Sequence, residues 1–242
     1  MAQLVFGWGQ TGHRVVGEIA EKHLNDKAKE RISKILNGAS LAEVSNWMDD
    51  IKSDAKYDSL RSWHYVTIED NSNYEESDKN PKGDIILGLN TIIDGLKNGK
   101  LSAKTEEEYI KILVHLIGDI HQPLHVGRGN DRGGNTIDLV WFWSKSNLHR
   151  VWDSGLIDSQ KYSYTELAKV ADKADSLTII NWQNSNVLDW AYESMSYRKD
   201  IYNLPSNKEI NYRYRYEHWK TVETRLAQAG IRLAGILNEI YG

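Results

Sequence analysis

The chain of 242 residues contains no cysteine, which excludes disulfide bonds and thiolate metal sites. It also lacks any run of about 18 apolar residues, so the sequence predicts no membrane-spanning helix. The net charge is -4, so the protein as a whole does not attract nucleic acid. Any nucleic acid would have to be held at a local site.

Phenylalanine is rare, with two residues against nine tryptophans and thirteen tyrosines. These aromatic side chains could stack on bases, but packing in the core and on the surface accounts for most of them. Hydrophobic residues make up 40% and charged residues 26% of the chain, as in an ordinary globular protein. No repeat, low-complexity segment or linker is present, so we predict a single domain.

Apolar residues recur at helical spacing along most of the chain. The first stretch covers residues 15–24, and Asp26 is predicted to cap a second helix that stops at Gly38. A third helix is predicted over residues 41–51. Further helices are predicted over residues 85–96, 106–120, 156–172, 187–197 and 217–241. The pattern indicates a mainly α protein.

The segments between the helices are predicted as loops and a small hairpin. Residues 70–83 are polar and contain Pro81, which favours a surface loop, and residues 128–134 are charged and rich in glycine. Residues 136–143 are aromatic and β-branched, which indicates a strand and a small β-hairpin. The alternating Tyr/Arg run at residues 212–216 resembles a nucleic-acid patch, but we interpret it as a solvated amphipathic segment.

Histidine and aspartate concentrate between residues 115 and 153. His115 and Asp119 stand four residues apart in a predicted helix, and His149 and Asp153 repeat that spacing, so each pair projects from one helical face. His125 lies between the pairs. Imidazole nitrogen and carboxylate oxygen are the ligands that zinc takes where cysteine is absent. A single such pair is more often a surface hydrogen bond, but two pairs with a third histidine favour a zinc site. They do not indicate what the zinc does.

Apolar neighbours on both sides of His115 and Asp119 predict that these two side chains are buried. A buried carboxylate needs a cationic partner, which zinc would supply. The first quarter of the chain adds Trp8, His13, Asp49 and His64. Taken singly, each of these is an ordinary core or surface residue.

Seven short strings stand in order along the chain: WGQTGH at residues 8–13, WMD at 47–49, WHY at 63–65, HLIGDIHQPLH at 115–125, GGN at 133–135, NLHRVWD at 147–153 and WAYES at 190–194. Taken together, these strings resemble the S1/P1 nuclease family. The order and spacing hold from Trp8 to the final helix, so the resemblance covers nearly the whole chain.

The resemblance implies a single helical domain of the type shared with zinc-dependent phospholipase C, together with three zinc ions. By motif position, the implied ligands are Asp49, His64, His115 and Asp119 for one ion, His125, His149 and Asp153 for another, and Trp8 and His13 with a bridging Asp119 for the third. In the family that tryptophan is the mature N-terminal residue, whose free amine and carbonyl oxygen bind the metal.

This sequence departs from the family pattern at three points. Seven residues precede Trp8, and while they remain its nitrogen is an amide, a poor zinc ligand. We therefore expect residues 1–7 to be a signal-peptide remnant or a cloning scar that is absent from the working enzyme, with the nuclease domain spanning residues 8–242. The absence of cysteine favours a bacterial-type member. Thr67 stands where the resemblance leads us to expect an aspartate that helps to read the base, which leaves base preference open.

The resemblance implies a zinc-dependent endonuclease that hydrolyses single-stranded DNA and RNA to 5′-phosphate products and also acts as a 3′-nucleotidase. Asp49, Lys52 and Asp119 are the predicted catalytic residues, while Tyr65 would stack on a base and Asn135 would hydrogen-bond its edge. We expect a secreted or periplasmic monomer. Two alternatives stay open: a zinc-dependent phospholipase C, and a non-enzymatic protein with structural zinc.

Overall fold

The computed structural model describes residues 8–242; the predicted N-terminal extension, residues 1–7, lies outside the described residues. Most of the described chain is helical, as the sequence predicts. The helices are α1 (Gln10–His23), α2 (Asp26–Ile35), α3 (Leu41–Val44), α4 (Trp47–Asp50), α5 (Ile85–Asn98), α6 (Ala103–His121), α7 (Leu148–Arg150), α8 (Leu156–Asp158), α9 (Tyr164–Ala171), α10 (Ser176–Gln183), α11 (Val187–Ser196), α12 (Arg198–Ile201) and α13 (Tyr212–Tyr241).

Three 3₁₀ helices and one π-helical turn supplement these elements: Ile51–Ser53, Ala55–His64, Pro123–His125 and the π turn Val151–Gly155. The strands are short: β1 (Val66–Thr67), β2 (Val126–Gly127), β3 (Asp138–Trp141), β4 (Ser144–Asn147) and β5 (Glu209–Ile210). No helix within residues 8–242 is long and apolar enough to cross a membrane.

Helices α1, α6 and α13 form the centre of the molecule and pack against one another. Their apolar faces are fully buried, as at Ile19 on α1, Ile117 on α6 and Leu233 on α13. Helices α1 and α13 cross closely, since a Cβ atom at Gly230 would lie 2.6 Å from Ile19. A larger residue at Gly230 would push the two helices apart. This core buries His13 on α1 and His115 and Asp119 on α6.

Two predicted helices are interrupted, and each break has a local cause. The helix expected over residues 41–51 is split into α3 and α4 at Ser45, whose hydroxyl donates to the Ala42 carbonyl at 2.9 Å and so competes with the backbone ladder. The helix expected over residues 156–172 is split because Ser163 and Glu166 form a capping box that starts α9 anew.

Helix starts also differ from the prediction. Asn25, rather than Asp26, caps α2, and its side chain accepts from the Ala28 amide at 2.9 Å. The last helix begins at Tyr212, so the Tyr/Arg run is its first turn and not a separate segment. Helix α10 was not predicted, since its apolar residues Leu177 and Ile180 are exposed and do not mark a buried face.

The predicted hairpin is confirmed and is part of a three-stranded sheet. Strands β3 and β4 pair antiparallel with Trp141 opposite Ser144, and β5 pairs parallel with β3. The turn residues Phe142 and Trp143 both have positive φ, which matches the twist of a tight hairpin. A separate parallel pair joins β1 to β2, with Val66 opposite Val126.

Candidate metal centre and nucleic-acid site

Helix α6 brings His115 and Asp119 into the centre of the molecule, four residues apart on one face. Both side chains have no exposed surface. The Asp119 carboxylate is the meeting point of three histidines. Its Oδ1 lies 3.3 Å from His13 Nε2 on α1, and its Oδ2 lies 3.3 Å from His115 Nε2 and 2.8 Å from His64 Nδ1.

Two overlapping groups of ligand atoms surround Asp119. The His13 cluster consists of His13, His115 and Asp119, and the Asp49 cluster consists of Asp49, His64 and His115. Within each cluster the ligand atoms all lie within 4.8 Å of one another. The split between α3 and α4 turns Asp49 toward α6, where its Oδ1 lies 3.6 Å from His115 Nε2.

A third group, the Asp153 cluster, consists of His125, His149 and Asp153. His149 Nε2 lies 3.3 Å from Asp153 Oδ2, and His125 Nε2 lies 3.8 Å from Asp153 Oδ1. His149 lies in α7, and Asp153 lies in the π-helical turn that follows it. His125 Nδ1 also lies 3.8 Å from Asp119 Oδ1, so the Asp153 cluster borders the other two.

Backbone carbonyl groups fix the orientation of three of these imidazole rings. The Nδ1 atoms of His115, His125 and His149 donate to the carbonyls of Ser45, His64 and Gly133, at 2.8, 2.5 and 2.7 Å. A carbonyl can only accept, so Nδ1 carries a proton, and Nε2 points a lone pair into the cluster whenever the ring is neutral. This is the arrangement by which proteins orient metal-binding histidines.

The donor set fits a divalent cation. Both ring nitrogens of His13 and Oδ1 of Asp119 are fully buried and have no hydrogen-bond partner within residues 8–242. His115 Nε2 lies 3.2 Å from His64 Nδ1 and faces carboxylate oxygens as well. Lone pairs that face one another need a cation between them, and a set of nitrogen and oxygen ligands suits zinc. These groups could therefore hold metal ions.

The pKa shifts show how strongly the carboxylates attract positive charge. Burial opposes ionisation of Asp119, but the charges of His115 and His125 and a hydrogen bond from His115 hold its pKa well below the usual range. Burial disfavours the charged form of His125, yet Asp119 and Asp153 raise its pKa to about 9. Burial lowers the pKa of His64 to about 4. The centre thus retains compensating positive charge beside its carboxylates.

Lys52 adds a positive charge at the edge of the Asp49 cluster. The 3₁₀ turn Ile51–Ser53 places its Nζ 2.5 Å from Asp49 Oδ1, and only 9% of the side chain is exposed. A nearly buried ammonium group beside the clusters favours binding of an anion there. The sequence placed this lysine one turn after Asp49, and the structure brings the two together.

A cavity of about 150 Å³ adjoins the Asp153 cluster, and we call it the base pocket. Tyr65 is 37% exposed beside it, directly after His64. Thr67 is also in its wall, whereas Asn135, among the described residues, is not. The lining residues are Tyr65, Val66, Thr67, Leu124, Gly127, Gly129, Arg132, Gly133 and His149.

Comparison with known proteins decides the family. The family model described as S1/P1 Nuclease matches residues 8–242. The chain belongs to the S1/P1 nuclease family. It is therefore a nuclease, a hydrolase of phosphodiester bonds in a metal-dependent family.

The named relatives of this nuclease are plant and fungal proteins. The chain is 32% identical to Endonuclease 3 of Arabidopsis thaliana over all of this chain and 92% of that protein. It is 31% identical to Endonuclease 5 of the same organism over all of this chain and 94% of that protein. It is 25% identical to Nuclease P1 of Penicillium citrinum over 97% of this chain and 98% of that protein. The assignment to a bacterial-type member stays a prediction.

In this nuclease, Trp8 is completely buried and lies two residues before the start of α1. The next amide, that of Gly9, donates to the Asp153 carbonyl at 2.6 Å, and the Gly9 carbonyl accepts from the His13 amide at 3.2 Å. A Cβ atom at Gly12 would lie 2.7 Å from Cβ of Trp8, so glycine permits this close approach. These contacts bring the segment after Trp8 to both the Asp153 and His13 clusters.

A partly buried charged network that the sequence analysis missed supports the end of α6. Glu193 receives hydrogen bonds at 2.6 Å from Arg225 and from Arg232, both on α13. Arg225 Nε donates to the His121 carbonyl at 3.1 Å, and Arg232 contacts His121 Nε2 at 2.8 Å. The string WAYES includes the glutamate, but no local pattern indicates its arginine partners over 30 residues away.

A second missed residue is Gln122, which lies between the two halves of the strongest motif. Its Nε2 donates to Asp153 Oδ1 at 2.6 Å, and its Oε1 accepts from the Leu124 amide at 2.6 Å. It therefore orients a carboxylate of the Asp153 cluster and shapes the 3₁₀ turn that carries His125. Its place inside the motif was the signal that could have identified it.

Proposed function

We propose that this nuclease is a zinc-dependent endonuclease that hydrolyses single-stranded DNA and RNA and leaves 5′ phosphates on its products. The observation that carries the proposal is the convergence of eight side chains, from elements between α1 and the π-helical turn, into three adjoining ligand clusters beside a pocket that Tyr65 lines. Removal of 3′ phosphates from nucleotides requires the same bond cleavage and belongs to the proposal.

Three zinc ions fit the three clusters. The proposed ligand sets are Asp49, His64, His115 and Asp119 for one ion, His125, His149 and Asp153 for the second, and Trp8, His13 and Asp119 for the third. The position of Asp119 between His13 and His64 supports its bridging role. Bound zinc would supply positive charge for the phosphate and lower the pKa of water toward about 7.

The residues of the chain hold and orient the substrate. Lys52 lies beside Asp49 with its ammonium group close to the clusters, where it would stabilise negative charge that builds on the phosphate. Tyr65 would stack on the base of the neighbouring nucleotide. The local positive charge explains how a protein of net charge -4 binds a polyanion.

Single strands fit this site better than duplex. The base pocket, at about 150 Å³, is smaller than the roughly 300–1,000 Å³ of ordinary ligand pockets and suits one ring system. A base can enter only when it is splayed from its strand, and unpairing it from a duplex costs a few kcal/mol. Asn135 as a base-edge contact stays a prediction, since its side chain donates to the Arg132 carbonyl at 3.0 Å.

We further propose that the working enzyme is a secreted or periplasmic monomer that begins at Trp8. Removal of residues 1–7 would give Trp8 a free amine. The burial of Trp8 five residues before His13 supports a ligand role for it. Mass measurement of the N-terminus of the secreted protein tests this: a peptide that still begins at Met1 in fully active, three-zinc protein would contradict it.

The test of the function compares three substrates with the full chain: a single-stranded oligonucleotide, the same sequence as a duplex, and phosphatidylcholine vesicles. We expect cleavage of the single strand with 5′-phosphate ends, slower cleavage of the duplex, and no release of the lipid headgroup. Exhaustive chelation should abolish cleavage and zinc should restore it. Lipid turnover without nucleic-acid cleavage would favour the phospholipase alternative, and full zinc content with no activity would favour a structural role.

A further inference from the structure

The polar groups in the wall of the base pocket are unevenly distributed between donors and acceptors. Among the lining residues no side chain is a carboxylate or a carboxamide. His149 is committed elsewhere, since its Nδ1 donates to Gly133 and its Nε2 faces Asp153. The side chains left to read a base are the hydroxyls of Tyr65 and Thr67 and the guanidinium of Arg132, so hydrogen-bond donors predominate.

Arg132 differs from the neighbouring arginines because no acidic side chain in the described part of the chain pairs with it. Arg128 pairs with Asp131 at 3.3 Å, and Arg198 pairs with Asp70 at 2.9 Å. Within residues 8–242, no hydrogen bond or ion pair involves the guanidinium of Arg132, although the residue is exposed in the pocket wall. Thr67 is uncharged, so the wall itself supplies no carboxylate for this guanidinium.

The backbone holds Arg132 in an unusual conformation at this position. Its φ is +54°, a left-handed value that is uncommon for a residue with a side chain. Its carbonyl accepts from the Asn135 side chain at 3.0 Å, and the following residue, Gly133, holds the His149 ring. A conformation of this kind persists where the surrounding structure imposes it, and it is common at binding sites.

A guanidinium beside a stacking ring suits guanine better than adenine. It offers parallel N–H donors and no acceptor, and the Hoogsteen edge of guanine offers two acceptors, O6 and N7. The same edge of adenine offers N7 beside an amino donor, so adenine would face the guanidinium with a donor. We propose that Arg132, with Thr67, makes the base pocket selective for guanine over adenine. This inference rests on the proposed function of the site.

Single-stranded oligonucleotides that are identical except for one base test the proposal. The value of kcat/KM for cleavage next to dG should exceed that next to dA by about 5- to 150-fold, the range that one bidentate arginine–base contact supplies. Arg132→Gly removes the side chain without straining the left-handed backbone, and it should abolish this preference while an oligonucleotide of thymidines is still cut. Arg132→Lys keeps the charge but not the paired donors, and it should lose most of the preference.

Arg14→Ala is the matched control, because Arg14 is exposed on α1 and is not part of the pocket wall. It should leave the base preference unchanged. Equal wild-type rates next to dG and next to dA would overturn the inference. So would an equal loss at every base in Arg132→Gly, since that result assigns the arginine to a phosphate. Failure of the wild-type protein to cut any oligonucleotide would instead overturn the proposed function.

Discussion

At the residue scale, the centre depends on which atom of each side chain faces inward. His115, His125 and His149 donate Nδ1 to backbone carbonyls, so their Nε2 atoms are left for a cation. The sequence could predict these histidines, since their types and spacing are visible in it. It could not predict Ser45 as the partner of His115, because that carbonyl becomes available only where α3 and α4 are interrupted.

Asp119→Asn tests the shared carboxylate. One charged oxygen is replaced by an amide nitrogen, so we expect the protein to lose at least one zinc ion and cleavage to fall by at least about 100-fold. Metal content by elemental analysis and kcat/KM on single-stranded DNA provide the measurement. Asp94→Asn, an exposed aspartate on α5, is the control and should change neither. Undiminished turnover with a full complement of metal would rule out the bridging role.

Lys52→Met tests the ammonium group beside Asp49. A group that stabilises charge only as it develops contributes to kcat, so we expect kcat to fall by about 10²–10³-fold with little change in KM. Zinc content should stay at the wild-type level, and Lys52→Arg should recover part of kcat because it keeps the charge. Normal kcat in Lys52→Met would show that the lysine only balances Asp49.

At the element scale, the C-terminal end of α6 is buried, and side chains from other elements satisfy its last carbonyls. The carbonyl of Ile120 accepts from Ser194 at 2.6 Å, and that of His121 accepts from Arg225 at 3.1 Å. The arginine also places positive charge at the end of the helix where the backbone dipole is negative. This capping fixes the turn that carries Asp119.

Glu193→Gln tests the network through its pH dependence. Burial opposes ionisation of Glu193, but hydrogen bonding and charge from Arg232 and Arg225 lower its pKa from 4.5. A lowered pKa in the folded state means that the carboxylate stabilises the protein above about 4.5, and that this contribution disappears as the pH falls through the folded-state pKa. The wild type should therefore be more stable than the variant at pH 7, and the gap should close on acidification.

Urea unfolding of the two proteins at several pH values measures that gap. Comparison with the variant cancels the titration of the metal ligands, which both proteins share. A difference in the free energy of unfolding that stays the same from pH 7 to below the folded-state pKa of Glu193 would contradict the lowered pKa of this residue.

Most elements were predictable, and the exceptions have tertiary causes. Strong apolar periodicity identified α1, α5, α6 and the later part of α13. The 3₁₀ helix Ala55–His64, which delivers His64, has no such pattern and was missed. The charged network of Glu193 joins α11 to α13, and no local pattern in either segment reveals such pairing.

At the scale of the whole molecule, the ligands come from separate elements spread between α1 and the π-helical turn, and only the folded chain brings them together. Metal that binds only the folded state stabilises it. This stabilisation reaches about 4 kcal/mol when the free metal concentration is a thousand times the dissociation constant. The centre is thus part of the core as well as the site of chemistry.

Chelation should therefore lower the melting temperature together with activity. For a domain of this size, a loss of about 4 kcal/mol corresponds to a fall in Tm of roughly 8–16 °C. Differential scanning calorimetry before and after dialysis against a chelator measures it, and zinc should restore the original value. A Tm that does not respond to chelation would show that the clusters do not couple metal binding to folding.

Anomalous X-ray scattering from crystals of the zinc-loaded protein, with data collected above and below the zinc absorption edge, tests the central claim most directly. The account predicts three peaks: one within reach of Asp49 and His64, one between His13 and Asp119, and one among His125, His149 and Asp153. A map with no zinc peak at one of these clusters, or with zinc bound only at surface groups, would contradict it.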